Sequence, residues 1–162
     1  MAKPIYIICS ESGAEDRISG RVSLFNLVEK IQIGKLPPDF KGIVISKGIS
    51  LWVTAAWMRE SEEEGTGEFD FETIVNMPGS AEPIEMMKGS FAFGKVFQRI
   101  MTRIEGHLPF SGSGTMTIQC RIRRAGSTVW SAQECPIILE EMALPIPPTE
   151  PTSPIDSRAS SN

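Results

Sequence analysis

Cys9, Ser10 and Glu11, with Glu15 and Asp16 just behind, set a thiol, a hydroxyl and three carboxylates along one short stretch. A cysteine is a nucleophile only as its thiolate, and the usual activator is a neighbouring base. The single histidine, His107, lies far along the chain in EGHLPF, and no spacing draws the two together. Cys9 reads instead as a small buried hydrophobe ending the strand IYIIC, a role free cysteine fills well. Cys9, Cys120 and Cys135 are an odd number for a disulfide framework. With one histidine they are also too scattered for a closed zinc site.

GSFAFGKV, residues 89 to 96, matches the phosphate-loop template G-x-x-x-x-G-K through Gly89, Gly94 and Lys95. The next position should supply a hydroxyl for Mg²⁺, and it is Val96. AEPIEMMK before it does not read as a buried strand, and the crossover helices of a nucleotide-binding domain have no counterpart in the pattern. The match is a coincidence of spacing. The run Glu60, Glu62, Glu63 and Glu64 raises calcium, alone or with Glu11, Glu15 and Asp16. Calcium loops mix Asp, Asn and Gly at fixed steps so that oxygens converge on one ion. A run of glutamates is more often a solvated loop. Ion or small-molecule binding through loops 11–16 and 60–64 is therefore the alternative reading, and no metal or cofactor is expected. FSGSG at 110–114 is not the G-x-S-x-G of a hydrolase elbow. PTEP and PTSP are matches that any proline-rich tail produces. No residue is assigned to catalysis, and the chain is not expected to be an enzyme.

The elements that position these groups are strands, because the dominant pattern is alternation with period two. TMTIQCRIRR, residues 115 to 124, sets Met116, Ile118, Cys120 and Ile122 against Thr117, Gln119, Arg121 and Arg123. A turn in RAGST then predicts TVWSAQECPIILE as the returning strand, with Pro136 demanding an edge or a bulge. In GISLWVTAAWMRE, Ile49, Leu51, Val53, Ala55 and Trp57 form one face. GEFDFETIV opposes Phe69, Phe71, Thr73 and Val75 to Asp70 and Glu72, and ESEEEGTG between the two reads as a solvated hairpin loop. Residues 21–33 read as one strand whose phase shifts at a bulge near Phe25-Asn26, carrying Leu27, Ile31 and Ile33 to one side. KVFQRIMTRIEG (95–106) fits either period and reads as a strand from its neighbours. The expected fold is all-β, a two-layer antiparallel β-sandwich, immunoglobulin-like or C2-like, of about seven to nine strands.

One surface pattern carries a positive expectation. If 95–105 and 115–124 are neighbouring antiparallel strands, Arg99 and Arg103 share an outer face with Arg121 and Arg123. A two-residue turn at Ala125-Gly126 then stands Trp130 opposite Arg121, suited to a cation–π contact. Phe97 and Met101 join them. Like charges side by side on a sheet repel unless carboxylates or an anionic partner offset them. Arg, Trp and Met are also the residues of interface centres. These seven residues are the expected protein-binding face, for a protein partner or self-association. The competing expectation is that Glu105 and Glu134 neutralise the arginines locally.

The 162 residues suit one sandwich domain over 1–144, followed by a disordered Pro/Ser-rich tail over 145–162 that holds five of the twelve prolines. A net charge of −4 argues against nucleic acid as partner. Without a signal peptide or a long apolar run, a reducing cytoplasm and no membrane association are expected. The segment 5–33 resembles a family of small bacterial proteins known as a domain of unknown function. Cys9, Glu11, Asp16 and Val22-Ser23-Leu24-Phe25-Asn26-Leu27-Val28-Glu29 carry the resemblance. It implies a β-sandwich and brings no activity, so it assigns no site residue.

Overall fold

Between residues 49 and 58 every second side chain is apolar, and the computed structural model turns that row inward. Leu51, Val53, Ala55 and Trp57 keep at most 3% of their surface. The structure describes residues 2–16, 18–19, 21–35, 44–45, 49–110 and 112–142. The tail from 145 lies outside the described residues.

Nine strands make two sheets. The first holds β1 (Lys3–Glu15), β2 (Val22–Leu27), β5 (Ile49–Met58) and β8 (Phe97–Gly106), in the order β2-β1-β5-β8, all antiparallel. The second holds β3 (Lys30–Gly34), β6 (Glu68–Asn76), β7 (Ile84–Ala92), β10 (Gly114–Arg124) and β11 (Ser131–Met142). Its order is β3-β11-β10-β6-β7, antiparallel except for the parallel pair β3–β11. A two-residue ribbon joins β4 (Val44–Ile45) to β9 (Pro109–Phe110).

The core fills the space between the sheets. Leu51, Val53 and Ile104 of the first pack with Val75, Met116, Ile118, Ile137 and Leu139 of the second. Trp57 and Ile100 pack with Phe69, Phe71, Phe93, Cys120 and Ile122. Burying each of the larger of these side chains contributes roughly 1.5–3 kcal/mol. Phe93 meets Phe69 edge-on at 5.0 Å between ring centroids. Gly89 makes room for this aromatic group, since a Cβ there would lie 2.7 Å from the Phe71 ring. Polar contacts also tie the layers together inside the core: the Thr73 and Thr102 hydroxyls lie 2.9 Å apart, and Thr73 Oγ1 is 3.4 Å from Cys120 Sγ.

The sandwich, the 115–140 hairpin and the inward rows of β5 and β6 are as the alternation implies. Residues 97–106 form a strand, as their neighbours suggested. Four readings change. Residues 22–34 are two strands, not one, and they belong to different sheets, so the phase shift marks the crossing. Asn26 takes a left-handed φ of 55° there, and Leu27 is 63% exposed rather than grouped with Ile31 and Ile33. The 60–67 segment is no hairpin loop: it carries the chain from β5 in one sheet to β6 in the other through a 3₁₀ turn, Glu63–Thr66. Residues 84–92 form an edge strand where no buried strand was legible, and Gly89 lies within it, which removes the phosphate-loop geometry. Finally, β1 runs on as strand through Glu15, well past Cys9.

Candidate docking face

Each sheet has an outer face, and the seven residues expected to share one face divide between the two. β8 pairs with β5, and β10 pairs with β6 and β11, so β8 and β10 are not neighbours. Phe97, Arg99, Met101 and Arg103 lie outside the four-stranded sheet. Arg121 and Arg123 lie outside the five-stranded one, with Trp130 beside them. The sequence pattern identified the outward sides correctly. It did not identify the neighbours.

On the five-stranded face the arginines are matched. Arg121 donates through Nε (2.9 Å) and a terminal nitrogen (2.6 Å) to Glu72 Oε2, and Arg123 Nε donates to Asp70 Oδ2 at 3.0 Å. The registers Arg121↔Glu72 and Arg123↔Asp70 set opposite charges side by side on adjacent strands, the favourable cross-strand arrangement. The guanidinium groups lie 4.6 and 4.4 Å from the Trp130 ring. Trp130 thus makes the expected cation–π contact, although Ala132 is the residue paired with Arg121 because the turn is longer than two residues. Gly126, at φ 80°, takes the left-handed position in that turn. Local neutralisation therefore holds on this face, by Glu72 and Asp70. Glu134 instead accepts from Gln119 Nε2 at 2.7 Å, and Glu105 pairs with Arg103 at 2.6 Å on the other sheet.

The four-stranded face is built differently. Register sets three rows across it: Tyr6, Ala56 and Arg99; Ile8, Thr54 and Met101; Ser10, Trp52 and Arg103. In the first two rows a small residue at the centre is flanked by large ones. Arg99 Nε donates to the Tyr6 hydroxyl at 3.2 Å, passing over Ala56, which is fully buried. Phe97 extends the first row, 6.2 Å from Tyr6 and 5.6 Å from the Arg99 guanidinium, and Arg103 lies 5.5 Å from the Trp52 ring. On the β2 side Leu27 pairs with Ser10 and Phe25 with Ser12, so both point outward. Phe25 is 51%, Leu27 63% and Phe97 38% exposed. Glu105 is the one carboxylate among the described residues of this face, against Lys3, Arg99 and Arg103. The Ser10 and Thr54 hydroxyls are buried under this layer without a hydrogen-bond partner among the described residues.

Tyr6, Ile8, Phe25, Leu27 and Trp52 are members of the face that sequence reasoning missed. Trp52 was legible in part, since it has the outward parity of GISLWVTAAWMRE. Its adjacency to Arg103 depends on a pairing between residues far apart in the chain.

The acidic residues do not converge. Lys3 pairs with Met58 at one end of β1 and Glu15 with Val22 at the other, about 40 Å apart at strand rise. Loops 11–16 and 60–64 therefore sit at opposite ends of the sandwich. Asp16 is held below the usual carboxylate range by hydrogen bonds from the Ser19 hydroxyl and the Ile18 N–H. Glu11 accepts from Asn26 Nδ2 at 2.8 Å, and Glu64 is buried and accepts the Glu60 N–H at 2.8 Å. Glu62 and Glu63 stand in the exposed 3₁₀ turn region. Among the described residues no three His, Cys, Asp or Glu side chains are grouped to hold a metal ion. An open cleft of about 460 Å³ between β3 and β5 has a mixed lining that includes Glu11, Lys30 and Leu51.

Cys9 is 2% exposed, as a core-strand cysteine should be. No helix among the described residues is long and apolar enough to cross a membrane. No protein-family model matches the chain, and no curated protein sequence matches it.

Proposed function

We propose that the chain is a non-enzymatic, cytoplasmic protein-binding module whose docking surface is the outer face of the four-stranded sheet. The observation that carries this reading is the mixture of exposed Phe25, Leu27 and Phe97 with Arg99 and Arg103 on this face. The arginines over β10 are neutralised by carboxylates on the next strand. Those on β8 stand among Tyr6, Phe97, Met101 and Trp52, with Glu105 the one carboxylate among the described residues of their face. Aromatic rings and arginines are the residues that dominate binding energy at interface centres. The excess positive charge favours a partner that presents carboxylates around an apolar centre. A face-to-face pair of identical copies would instead set arginines and Lys3 against their own kind. Three unbridged cysteines support the compartment.

A photo-crosslinking side chain at Phe97 or at Leu27 should capture the same protein in the producing cell, and one at Val129, beside Trp130, should not. Arg99→Glu should reduce that capture about ten-fold. Equal capture from the two faces, or none from either, overturns the reading. Adducts only with a second copy, together with dimer mass by light scattering, would convert it to self-association.

A further inference from the structure

Three successive inward side chains of β11 reach across to the first sheet. Ser131 Oγ donates to the Ala2 carbonyl at 3.2 Å, and Gln133 Nε2 donates to the Ala56 carbonyl at 2.8 Å. Next along the strand, Cys135 packs against the buried cluster that contains Cys9, and each thiol shifts the ionisation of the other. β2 pairs with β1 only from Ser10 onward, which leaves the edge of β1 up to Cys9 facing β11. Two free thiols on different sheets thus belong to one core region, one sealed within it and one half-buried at its margin.

We propose that Cys135 and Cys9 form an oxidisable dithiol, a modification site at which a peroxide is reduced and the two sheets become covalently joined. The roles follow from access and protonation. Cys135 is reachable by a small oxidant, and the influence of Cys9 outweighs its burial and brings it down to about 7. Cys9 keeps its proton, because Cys135 and burial both push it up. Cys120 is pushed up to about 11 by burial, and it lies beside Thr73.

In the first step the Cys135 thiolate attacks one peroxide oxygen. The O–O bond breaks, the departing hydroxide takes a proton from solvent and leaves as water, and Cys135 becomes a sulfenic acid. In the second, the Cys9 sulfur attacks the Cys135 sulfur and the S–O bond breaks. The hydroxide leaves with the Cys9 proton as a second water. The two thiols lose two electrons and two protons, which the peroxide receives. The bridge forms when the two sulfurs close to the ~2.05 Å of a disulfide.

Hydrogen peroxide added to the folded full chain should remove the mass of two hydrogens and yield a cross-linked Cys9–Cys135 peptide, with Cys120 still alkylatable after unfolding. Cys120→Ser should give the same product. Cys9→Ser should stop at a dimedone-trappable sulfenic acid on Cys135. Cys135→Ser should slow oxidation of the remaining thiols about ten-fold or more. The proposal is overturned if the wild-type chain stays fully reduced under peroxide that oxidises a free thiol control, or if the bridge or first oxidation falls on Cys120. Since the mapping is done on wild-type protein, a variant that fails to fold does not remove the test.

Discussion

The outer faces of the two sheets each carry two arginines on one strand and surround them differently. On β10, Arg121 and Arg123 meet Glu72 and Asp70 one strand away and share the Trp130 ring. On β8, Arg99 and Arg103 meet Ala56 and Trp52, because the outward residues of β5 are Ser50, Trp52, Thr54, Ala56 and Met58. A charge on a sheet acquires its meaning from the strand beside it. One face pairs its arginines with carboxylates of the next strand, and the other sets them beside aromatic and small side chains.

The largest expected difference between the faces is in the carboxylates. Glu72→Gln weakens two charge-assisted hydrogen bonds to an arginine that is 31% exposed, and it should lower stability by about 1–2 kcal/mol. Glu105→Gln breaks an ion pair exposed on both sides and should cost less than about 0.5 kcal/mol. Urea denaturation of the two variants checks this, and equal losses would dissolve the distinction. Arg99→Glu and Arg121→Glu, made separately, sharpen it further: only the first should disturb association, because the two residues are on opposite sides of the molecule.

A smaller effect concerns hydroxyls. Thr54 Oγ1 is buried beneath the four-stranded face with no partner among the described residues, whereas Thr102 Oγ1 is bonded to Thr73 across the core. Thr54→Val should raise stability by about 1 kcal/mol, and Thr102→Val should lower it by about as much. Thermal melts that move in the same direction would show that the face is as well satisfied as the core.

The smallest effect should be common to both faces, since it arises between them. The folded pKa of Cys120, about 11, lies above the ordinary value of 9.0, because burial disfavours its thiolate. Its contribution is therefore present in full below pH 9 and is lost as the pH rises towards about 11. At pH 9 the loss is about half a kcal/mol. A urea midpoint that stays flat from pH 8 to pH 10 would contradict the assignment, and Cys120→Ala should make the fall shallower, leaving the part that the raised Cys9 thiol contributes.

Much of the architecture was legible in single strands. Period two in 49–57 and 69–75 reports burial directly, because successive side chains of a strand point to opposite faces. The same rule placed Arg121, Arg123, Arg99 and Arg103 outward. It failed where two strands run on without a turn signal, so that the crossing after Leu27 looked like a bulge within one strand. It failed again at 84–92, where an edge strand with exposed Glu85 and Lys88 has too little buried surface to show a clear pattern. The proposed docking face was half legible, because its arginines and Phe97 are on one strand while Tyr6, Trp52 and Leu27 come from three others.

By itself the sequence determined that this chain is all-β, which side of each long strand is wet, and that Cys9 belongs inside. These are local consequences of alternation and of the free energy of burying apolar side chains. Only the tertiary structure decided that β8 lies beside β5, that Glu72 rather than Glu105 answers Arg121, and that Cys135 joins Cys9 in one core region. Strand pairing is a contact between residues distant in sequence, selected by how the whole core packs, and no short window of sequence contains it.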